Sequence, residues 1–245
     1  MVSSRLSFAL ITVTLALAGC GGSSVTTANS SSQIATSAAS PNSTPVQAAA
    51  TPFLRGLSTV SPVTLTVPGN GDVNPYGVVV VPSTIGKLRA GNLLISNFND
   101  KANNQGTGTT IDQISSAGKL SLFAKVNAKR LPGSCPGGVG LTTALSVLAG
   151  GYVAVGSLPT TNGKSATAQY GCLIVLDPSG RPVSTIAGPN IQGPWDMTAV
   201  TKGADTTLFV SMVLNGGAKE GVHVIKNSTV LRIMLNSGPG QAPPR

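Results

Sequence analysis

The side chains that usually carry catalysis are scarce in this sequence. It has one histidine, His223, and seven acidic residues. His223 lies in GVHVIK, where it alternates with apolar residues, and this pattern predicts a histidine packed in a strand or at its edge. One histidine cannot build a multi-His transition-metal site, and no GxSxG motif supplies the nucleophile of a catalytic triad. The acidic residues are Asp72, Asp100, Asp112, Asp177, Asp196, Asp205 and Glu220.

Some carboxylates and amides occur in patterns that could hold calcium. A calcium ion takes six to eight oxygen ligands, several of them from carboxylates, and the sequence offers too few. We expect a turn at Asp72 and Asn74, a polar loop from Asn97 through Asn99 to Asp100, and a hydrogen bond at the strand entry of Asp196. The sequence therefore predicts no metal site and no cofactor.

Two aromatic residues, Tyr76 and Trp195, occupy corresponding positions in a repeated pattern described below. An exposed ring beside Asn74 or Asp196 could stack on a sugar or a peptide, so these four residues are the candidate ligand-binding set. The alternative is that both rings fill the core.

The N-terminus reads as a targeting segment. Arg5 precedes the apolar run Leu6–Leu17, which is shorter than a transmembrane helix, and LAGC follows with its cysteine at Cys20. This resembles a bacterial lipoprotein signal, which implies cleavage after residue 19 and acylation of Cys20. Gly21 then implies sorting to the outer membrane of a Gram-negative envelope. The alternative is an ordinary cleaved secretory signal.

Three segments follow from composition. Residues 1–19 are predicted to be the signal peptide, residues 20–52 the lipid-anchored cysteine and a disordered Ser/Thr/Ala-rich tether, and residues 53–245 the folded domain. The tether has no charged or aromatic residue and cannot bury enough apolar surface to fold. In such a compartment we expect a Cys135–Cys172 disulfide; two buried free thiols are the alternative.

The charge is positive but dispersed. Without Arg5 the chain keeps 15 basic residues against 7 acidic ones, a net charge of +8. The nearest approach to a cluster is Lys125, Lys129 and Arg130, without interleaved aromatics, so no nucleic-acid partner is predicted. A weak attraction to anionic headgroups or acidic envelope polymers is the more natural consequence, although the charge also serves solubility.

Three stretches share one pattern, beginning near Asn74, Gly138 and Gly193. Each predicts four short strands, with tight turns such as SAGK, DPSGR and KNST before the last one. The 30 glycines, 17 prolines and few aromatics also favour an all-β fold. Four strands per unit of roughly 55 to 65 residues is typical of β-propeller blades.

The segments NPYG, GNLLISNFND and TIDQISSAGK resemble the NHL-repeat family of β-propellers, although the second strands lack the Ala-Asp ending usual in that family. The resemblance implies a propeller-like array of about three four-stranded blades over about Asp72–Leu235. Closed propellers have four to eight blades. The array is thus a partial or truncated six-bladed type, or a ring completed by other protomers, or a β-sandwich built from the same hairpins. Thr59–Val67 is a candidate edge strand.

These observations predict an envelope lipoprotein that binds or scaffolds a protein or envelope polymer such as a polysaccharide, without catalysis. The membrane is its other partner, through the N-terminal lipid. Two alternatives remain: a calcium-dependent hydrolase of the lactonase type, which is the enzyme that a six-bladed propeller suggests, and a truncated remnant without function.

Overall fold

The computed structural model describes residues 54–57, 59–214 and 226–236. The predicted signal peptide, the whole of the segment 20–52 with Cys20 and the tether, and His223 lie outside these residues. The described part is all-β, as predicted: besides strands it contains only short 3-10 turns at Ala128–Arg130, Ala149–Gly151 and Ser165–Thr167. No helix in this part of the chain is long and apolar enough to cross a membrane.

The strands form three antiparallel sheets, in which neighbours along the chain are mostly neighbours in space. The first sheet has the order β1-β2-β3-β4, the second β5-β6-β7-β8, and the third β11-β10-β9. The strand bounds are β1 Val73–Val80, β2 Leu93–Asn99, β3 Thr110–Ile114, β4 Leu120–Lys125, β5 Leu141–Val147, β6 Val153–Ser157, β7 Cys172–Leu176, β8 Pro182–Ile186, β9 Pro194–Lys202, β10 Asp205–Met212 and β11 Thr229–Asn236.

Two of the predicted tight turns, SAGK and DPSGR, close the β3–β4 and β7–β8 hairpins, whereas residues 226–228 of KNST lead into β11 without forming a turn. In the β7–β8 turn the Gly180 amide donates to the Asp177 carbonyl at 2.9 Å, and Gly180 has a φ of 80°. The β3–β4 turn repeats this arrangement, with Gly118 at a φ of 75°. Only glycine adopts such a φ without strain, which is why these two positions could be read from the sequence.

The third sheet differs from its prediction. The segment VLRIML was expected as a fourth strand, beside a third strand in GVHVI. Instead β11 pairs directly with β10 over eight residues, from Asp205↔Asn236 to Met212↔Thr229. In this register Leu231, Ile233 and Leu235 lie on the same face of the sheet as the buried Leu208 and Val210 of β10. The burial of these side chains together favours direct pairing of β11 with β10.

Two hydrophobic cores lie between the sheets. The first joins sheets one and two through fully buried residues such as Leu94, Ile111 and Ile174. The second joins sheets two and three through Leu173 and Met212 among others. The described part of the chain thus has three sheets in succession, where a β-sandwich has two.

Cys135 and Cys172 form the predicted disulfide. Their Cα atoms lie 5.3 Å apart, and the bridge ties the loop before β5 to the first residue of β7. This distance lies within the range that a disulfide spans without backbone distortion.

The predicted edge strand at Thr59–Val67 is not formed, since none of its residues belongs to a β-ladder. The segment passes beside the β3–β4 turn, where the Val63 carbonyl lies 2.9 Å from the position that a Cβ on Gly118 would take. Its apolar side chains Val63, Leu65 and Val67 are 60, 83 and 50% exposed.

Candidate functional site

The ends of the second strand of each sheet lie close together. Phe98 near the end of β2, Leu158 just after β6 and Val213 just after β10 line one common cavity. The loops that follow β2 and β6 are joined by backbone, because the Thr160 amide donates to the Gly106 carbonyl at 3.0 Å. The repeated fold therefore brings three loop regions, distant in sequence, to one place.

Three aromatic rings pack beside this cavity. Tyr76 stacks on Phe98 with ring centroids 4.5 Å apart, and Trp195 meets both rings edge-on at 5.8 and 5.5 Å. Phe98 is buried, while Tyr76 and Trp195 are partly exposed. Offset and edge-on pairs of this kind stabilise each other beyond simple burial, so the rings form a fixed wall.

The cavity measures about 270 Å³ and has no charged side chain in its lining. Gln105, Thr160 and Ser165 contribute polar side chains, and the indole N–H of Trp195 is a further donor. The rest of the lining is made of Phe98, Leu158, Ala168, Val213 and Leu214. Binding sites for whole drug-sized molecules are usually about 300–1,000 Å³. This cavity therefore suits one uncharged ring or side chain of a larger partner.

The strand registers make Tyr76 and Trp195 structural equivalents. Tyr76 lies two residues before Val78, which pairs with Ile95, and Trp195 lies two residues before Met197, which pairs with Val210. The same count places Thr143 at this position in the second sheet. The Thr143 hydroxyl donates to the Trp195 carbonyl and so links β5 to β9. Phe98 provides the third ring instead, and sequence comparison of the repeat openings missed it because it lies at the end of a different strand.

The two polar candidates, Asn74 and Asp196, lie in different surroundings. Asn74 has a φ of 65° and donates from its side chain to Asn99 Oδ1 at 3.2 Å, so it belongs to a network of amides at the start of β1 and the end of β2. Asp196 is exposed on β9, and its backbone amide donates to the Ser211 hydroxyl at 3.1 Å. Asp196 follows the alternation of exposed Thr198 and Val200, on the opposite side of β9 from Trp195.

A buried polar chain crosses the first sheet. Asp72 Oδ2 accepts hydrogen bonds from the Thr109 amide at 2.8 Å and the Thr110 hydroxyl at 2.9 Å. Asn97 Nδ2 donates to the same hydroxyl at 3.2 Å and to Asp112 Oδ2 at 2.7 Å. The chain therefore connects two carboxylates through one hydroxyl and one amide.

Asp112 is fully buried, and this raises its pKa from 3.8 to about 6. The hydrogen bond from Asn97 opposes the shift, and the charge of Asp72 adds to it. Asp112 Oδ1 and Asn97 Oδ1 are buried without a hydrogen-bond partner among the described residues. Protonation of Asp112 would turn one of two unsatisfied acceptors into a donor, which is the physical advantage of the neutral form.

The residues considered for calcium do not converge. Asp100 Oδ1 accepts from the amides of Ala102 and Asn104, both at 3.0 Å, and so organises its own loop. Burial raises the pKa of Asp100, but hydrogen bonds from Asn104, Ala102 and Thr107 together hold it below its ordinary value. Within the described residues, no three acidic, histidine or cysteine side chains are grouped closely enough to hold a metal ion.

The basic residues are less dispersed in space than in sequence. Two adjacent cavities of about 450 and 620 Å³ share Lys125, Gly180 and Arg181 in their lining. Lys87 lines the first and Arg130 lines the second, and neither lining includes an acidic residue. Arg181 could not be grouped with Lys125 from the sequence, because the two residues are far apart along the chain and only the fold brings them together.

The chain was also compared with known proteins. No protein-family model matches it, and no curated protein matches its sequence.

Proposed function

We propose that this chain is a lipid-anchored, extracytoplasmic binding module whose NHL-like, propeller-type repeat domain holds a partner in the cell envelope. The observation that carries the proposal is the uncharged cavity of about 270 Å³ beside the rings of Phe98 and Trp195. No catalytic step is part of the proposal.

Several features support the location and the fold. LAGC at residues 17–20 has the residue types of a lipoprotein signal, and the Cys135–Cys172 disulfide suits an oxidising compartment. Two sheets of four strands and one of three, each antiparallel and ordered mainly along the chain, are consistent with propeller-type repeats.

The lining favours a protein over a polysaccharide as the partner. Six of its nine residues are apolar or aromatic, and the side-chain hydrogen-bonding groups are limited to those of Gln105, Thr160 and Ser165 and the indole N–H of Trp195. A sugar ring carries several hydroxyls that lose water on burial and need partners, whereas an apolar side chain does not. The basic surface around Lys125 and Arg181 supplies a second, weaker attraction to anionic polymers or headgroups.

The test uses two neighbouring substitutions that differ in their relation to the cavity. Ser165 is exposed and lines the cavity, whereas Ala166 is exposed beside it and does not. Ser165→Phe should fill the opening, and Ala166→Phe should add the same ring without filling it. The full chain, both variants and a tether-only control are used to capture proteins from envelope extracts.

We expect the wild type and Ala166→Phe to enrich the same partner over the tether-only control, and Ser165→Phe to lose most of it. Protease treatment of the extract should abolish the capture, whereas survival of the capture after protease would point to a polysaccharide. Equal capture by both variants, or none above the control, would contradict the proposal.

A further inference from the structure

A third cavity extends the two basic cavities that share Lys125 and Arg181. It measures about 370 Å³ and shares Lys87, Leu122 and Phe123 with the cavity of about 450 Å³. The three cavities therefore adjoin one another, and we call them together the basic groove. Its lining carries six basic residues, all of them exposed: Lys87, Arg89, Lys119, Lys125, Arg130 and Arg181.

The basic groove follows β4, which is the last strand in the order of the first sheet. Lys119 lies just before β4 and Lys125 is its final residue, so their Cα atoms lie roughly 20 Å apart at about 3.3 Å per residue. Lys87 and Arg89 come from the β1–β2 loop, and Arg181 comes from the β7–β8 turn. Positive charge is therefore spread along the strand, as a linear anion requires, and is not gathered at one point.

Hydrogen bonds to neutral groups hold part of the basic groove in place. The Lys87 amide donates to the Pro178 carbonyl at 2.8 Å and its ammonium to the Phe123 carbonyl at 3.4 Å, so Lys87 ties the β7–β8 turn to β4. The Arg89 guanidinium donates to the Gly86 carbonyl at 2.7 Å. A carbonyl positions a cation without cancelling its charge, and both cations have more N–H donors than these contacts use.

Acidic residues do little to cancel the charge of the basic groove. No residue in its described lining is acidic. Asp177 lies at the start of the β7–β8 turn, and its Oδ1 accepts from the amides of Ser179 and Arg181 at 2.8 and 2.9 Å. Asp112 on β3 is fully buried beside Asn97. Even with Asp177 counted, the six basic residues leave a net charge of +5, which attracts anions into the groove.

The spaces between the charges offer what a sugar chain needs. A sugar ring carries hydroxyls that require hydrogen-bond partners and ring carbons that do not. Leu122 lies midway along β4 and is 51% exposed, so it offers an apolar contact to the ring carbons. The lining also holds uncharged polar side chains that are not fully buried: Asn92, Ser115, Ser121, Asn127 and Ser179. Together with the positive charge, this composition matches an acidic polysaccharide.

The basic groove is less suited to other linear anions. The register of β4 against β3 shifts at Phe123, which forms a bulge, and the Phe123 carbonyl accepts from Lys87. A bulge and a lysine on an edge strand oppose the addition of a further strand, so an acidic peptide gains no β-ladder here. Single-stranded nucleic acid stacks its bases on exposed rings, and the one ring in the described lining, Phe123, is buried.

We infer that the basic groove binds a linear acidic polysaccharide. The anionic groups of the polymer contact Lys125, Arg181 and the other basic side chains, and its hydroxyls bond to the uncharged polar side chains between them. This site is separate from the proposed protein-binding cavity, because the groove and that cavity share no lining residue. The chain can therefore bind the polysaccharide whether or not it captures a protein at the cavity.

Fluorescence polarisation with a labelled oligogalacturonate tests the basic groove in the purified full chain. Lys125→Ala with Arg181→Ala removes two positive charges from its centre. Lys101→Ala with Lys202→Ala is the matched control, because both lysines are exposed and lie outside the lining. Lys125→Arg with Arg181→Lys keeps both charges in place. Urea melts establish that the variants fold, and Lys119→Ala with Arg130→Ala replaces the first pair if it does not.

We expect the wild type to bind the oligogalacturonate but not neutral dextran, and to bind it at least ~tenfold more weakly at about 1 M salt, where charges are screened. The central alanine pair should weaken binding at least ~tenfold, whereas the control pair and the charge-conserving pair should change it less than ~threefold. Ser165→Phe should bind the polymer as the wild type does, which separates this site from the cavity.

Two results would overturn the inference outright. One is equal weakening by the central and control alanine pairs, because net charge alone would then explain the binding. The other is the absence of binding at low ionic strength. Tighter binding of single-stranded DNA, or of vesicles that contain phosphatidylglycerol, lost in the central alanine pair, would also overturn it and assign the groove to nucleic acid or to a membrane.

Discussion

Replacing Asp112 by asparagine should stabilise the protein at neutral pH and remove part of its pH dependence. The pKa of Asp112 rises from 3.8 to about 6 on folding, because the carboxyl is buried and faces Asp72. A carboxyl with a raised folded-state pKa favours the fold most when it is protonated. Its contribution is fully present below pH 3.8 and is lost as the pH rises through about 6.

The magnitude follows from the same shift. Two pKa units correspond to roughly 3 kcal/mol, and screening by solvent near the carboxyl reduces this to about 1 to 2 kcal/mol. Asparagine has a similar shape, carries no charge, and offers an Nδ2 donor where Asn97 Oδ1 lacks a partner. At pH 7 we therefore expect Asp112→Asn to raise the free energy of unfolding by about 1 to 2 kcal/mol.

The assay is urea unfolding of the wild type and Asp112→Asn at several pH values from 4 to 8. The two curves should nearly meet close to pH 3.8, separate progressively as the pH rises from 3.8 to about 6, and show the full difference above that. Asp100, whose pKa is lowered, gives the opposite trend, but it is common to both proteins and cancels in their difference. Asp196→Asn on the exposed surface of β9 is the matched control and should change stability by less than about 0.5 kcal/mol at every pH. Parallel curves for wild type and Asp112→Asn, or a variant that is less stable at pH 7, would refute the reasoning.

Three further predictions concern the disulfide, one glycine and calcium. Replacing Cys135 and Cys172 together by serine should lower the free energy of unfolding by about 3 to 4 kcal/mol, because the bridge closes a long loop in the unfolded chain; unchanged urea midpoints would contradict this. Gly77→Ala places a Cβ 2.4 Å from Ser96 Oγ and 2.8 Å from Leu145 Cβ, so it should cost about 1 to 3 kcal/mol in a thermal or urea melt. Gly69→Ala, with nothing within 4 Å, is its control and should be nearly neutral. Calcium should leave the melting temperature unchanged, since Asp100 is occupied by its own loop and Asp196 is exposed; a rise abolished by Asp100→Ala with Asp196→Ala would instead favour the hydrolase.

Local chemistry explains which parts of the fold the sequence could predict. The turns at SAGK and DPSGR follow from glycine and proline at fixed offsets, and they define hairpins without any knowledge of the rest of the chain. The pairing of Cys135 with Cys172 could be predicted from the expected oxidising compartment and from the number of cysteines, because no other cysteine follows the predicted lipid anchor. The order within the third sheet could not be predicted in this way, since GVHVI and VLRIML have equally good strand patterns and only register with β10 decides between them.

Most of the candidate site could be recognised only from the folded structure. Tyr76 and Trp195 were predicted as equivalents because both follow proline at a repeat opening, and the registers place them so. Phe98 could not be found in the same way, because its contacts with Tyr76 and Trp195 arise only when β1, β2 and β9 pack together. The same holds for Asp112, which looks like an ordinary surface residue in TIDQI and becomes a buried acid only through Asn97 and Asp72.

The intrinsic fluorescence of Trp195 is the most direct measurement of binding at the cavity. Trp195 is the only tryptophan in the chain, so its emission reports this site alone. The full chain is titrated with the envelope fraction that it captures. We predict a saturable change in emission, weakened at least ~tenfold in Ser165→Phe and changed less than ~twofold in Ala166→Phe. Capture of the partner without any change in Trp195 emission would contradict the assignment of the cavity as the binding site.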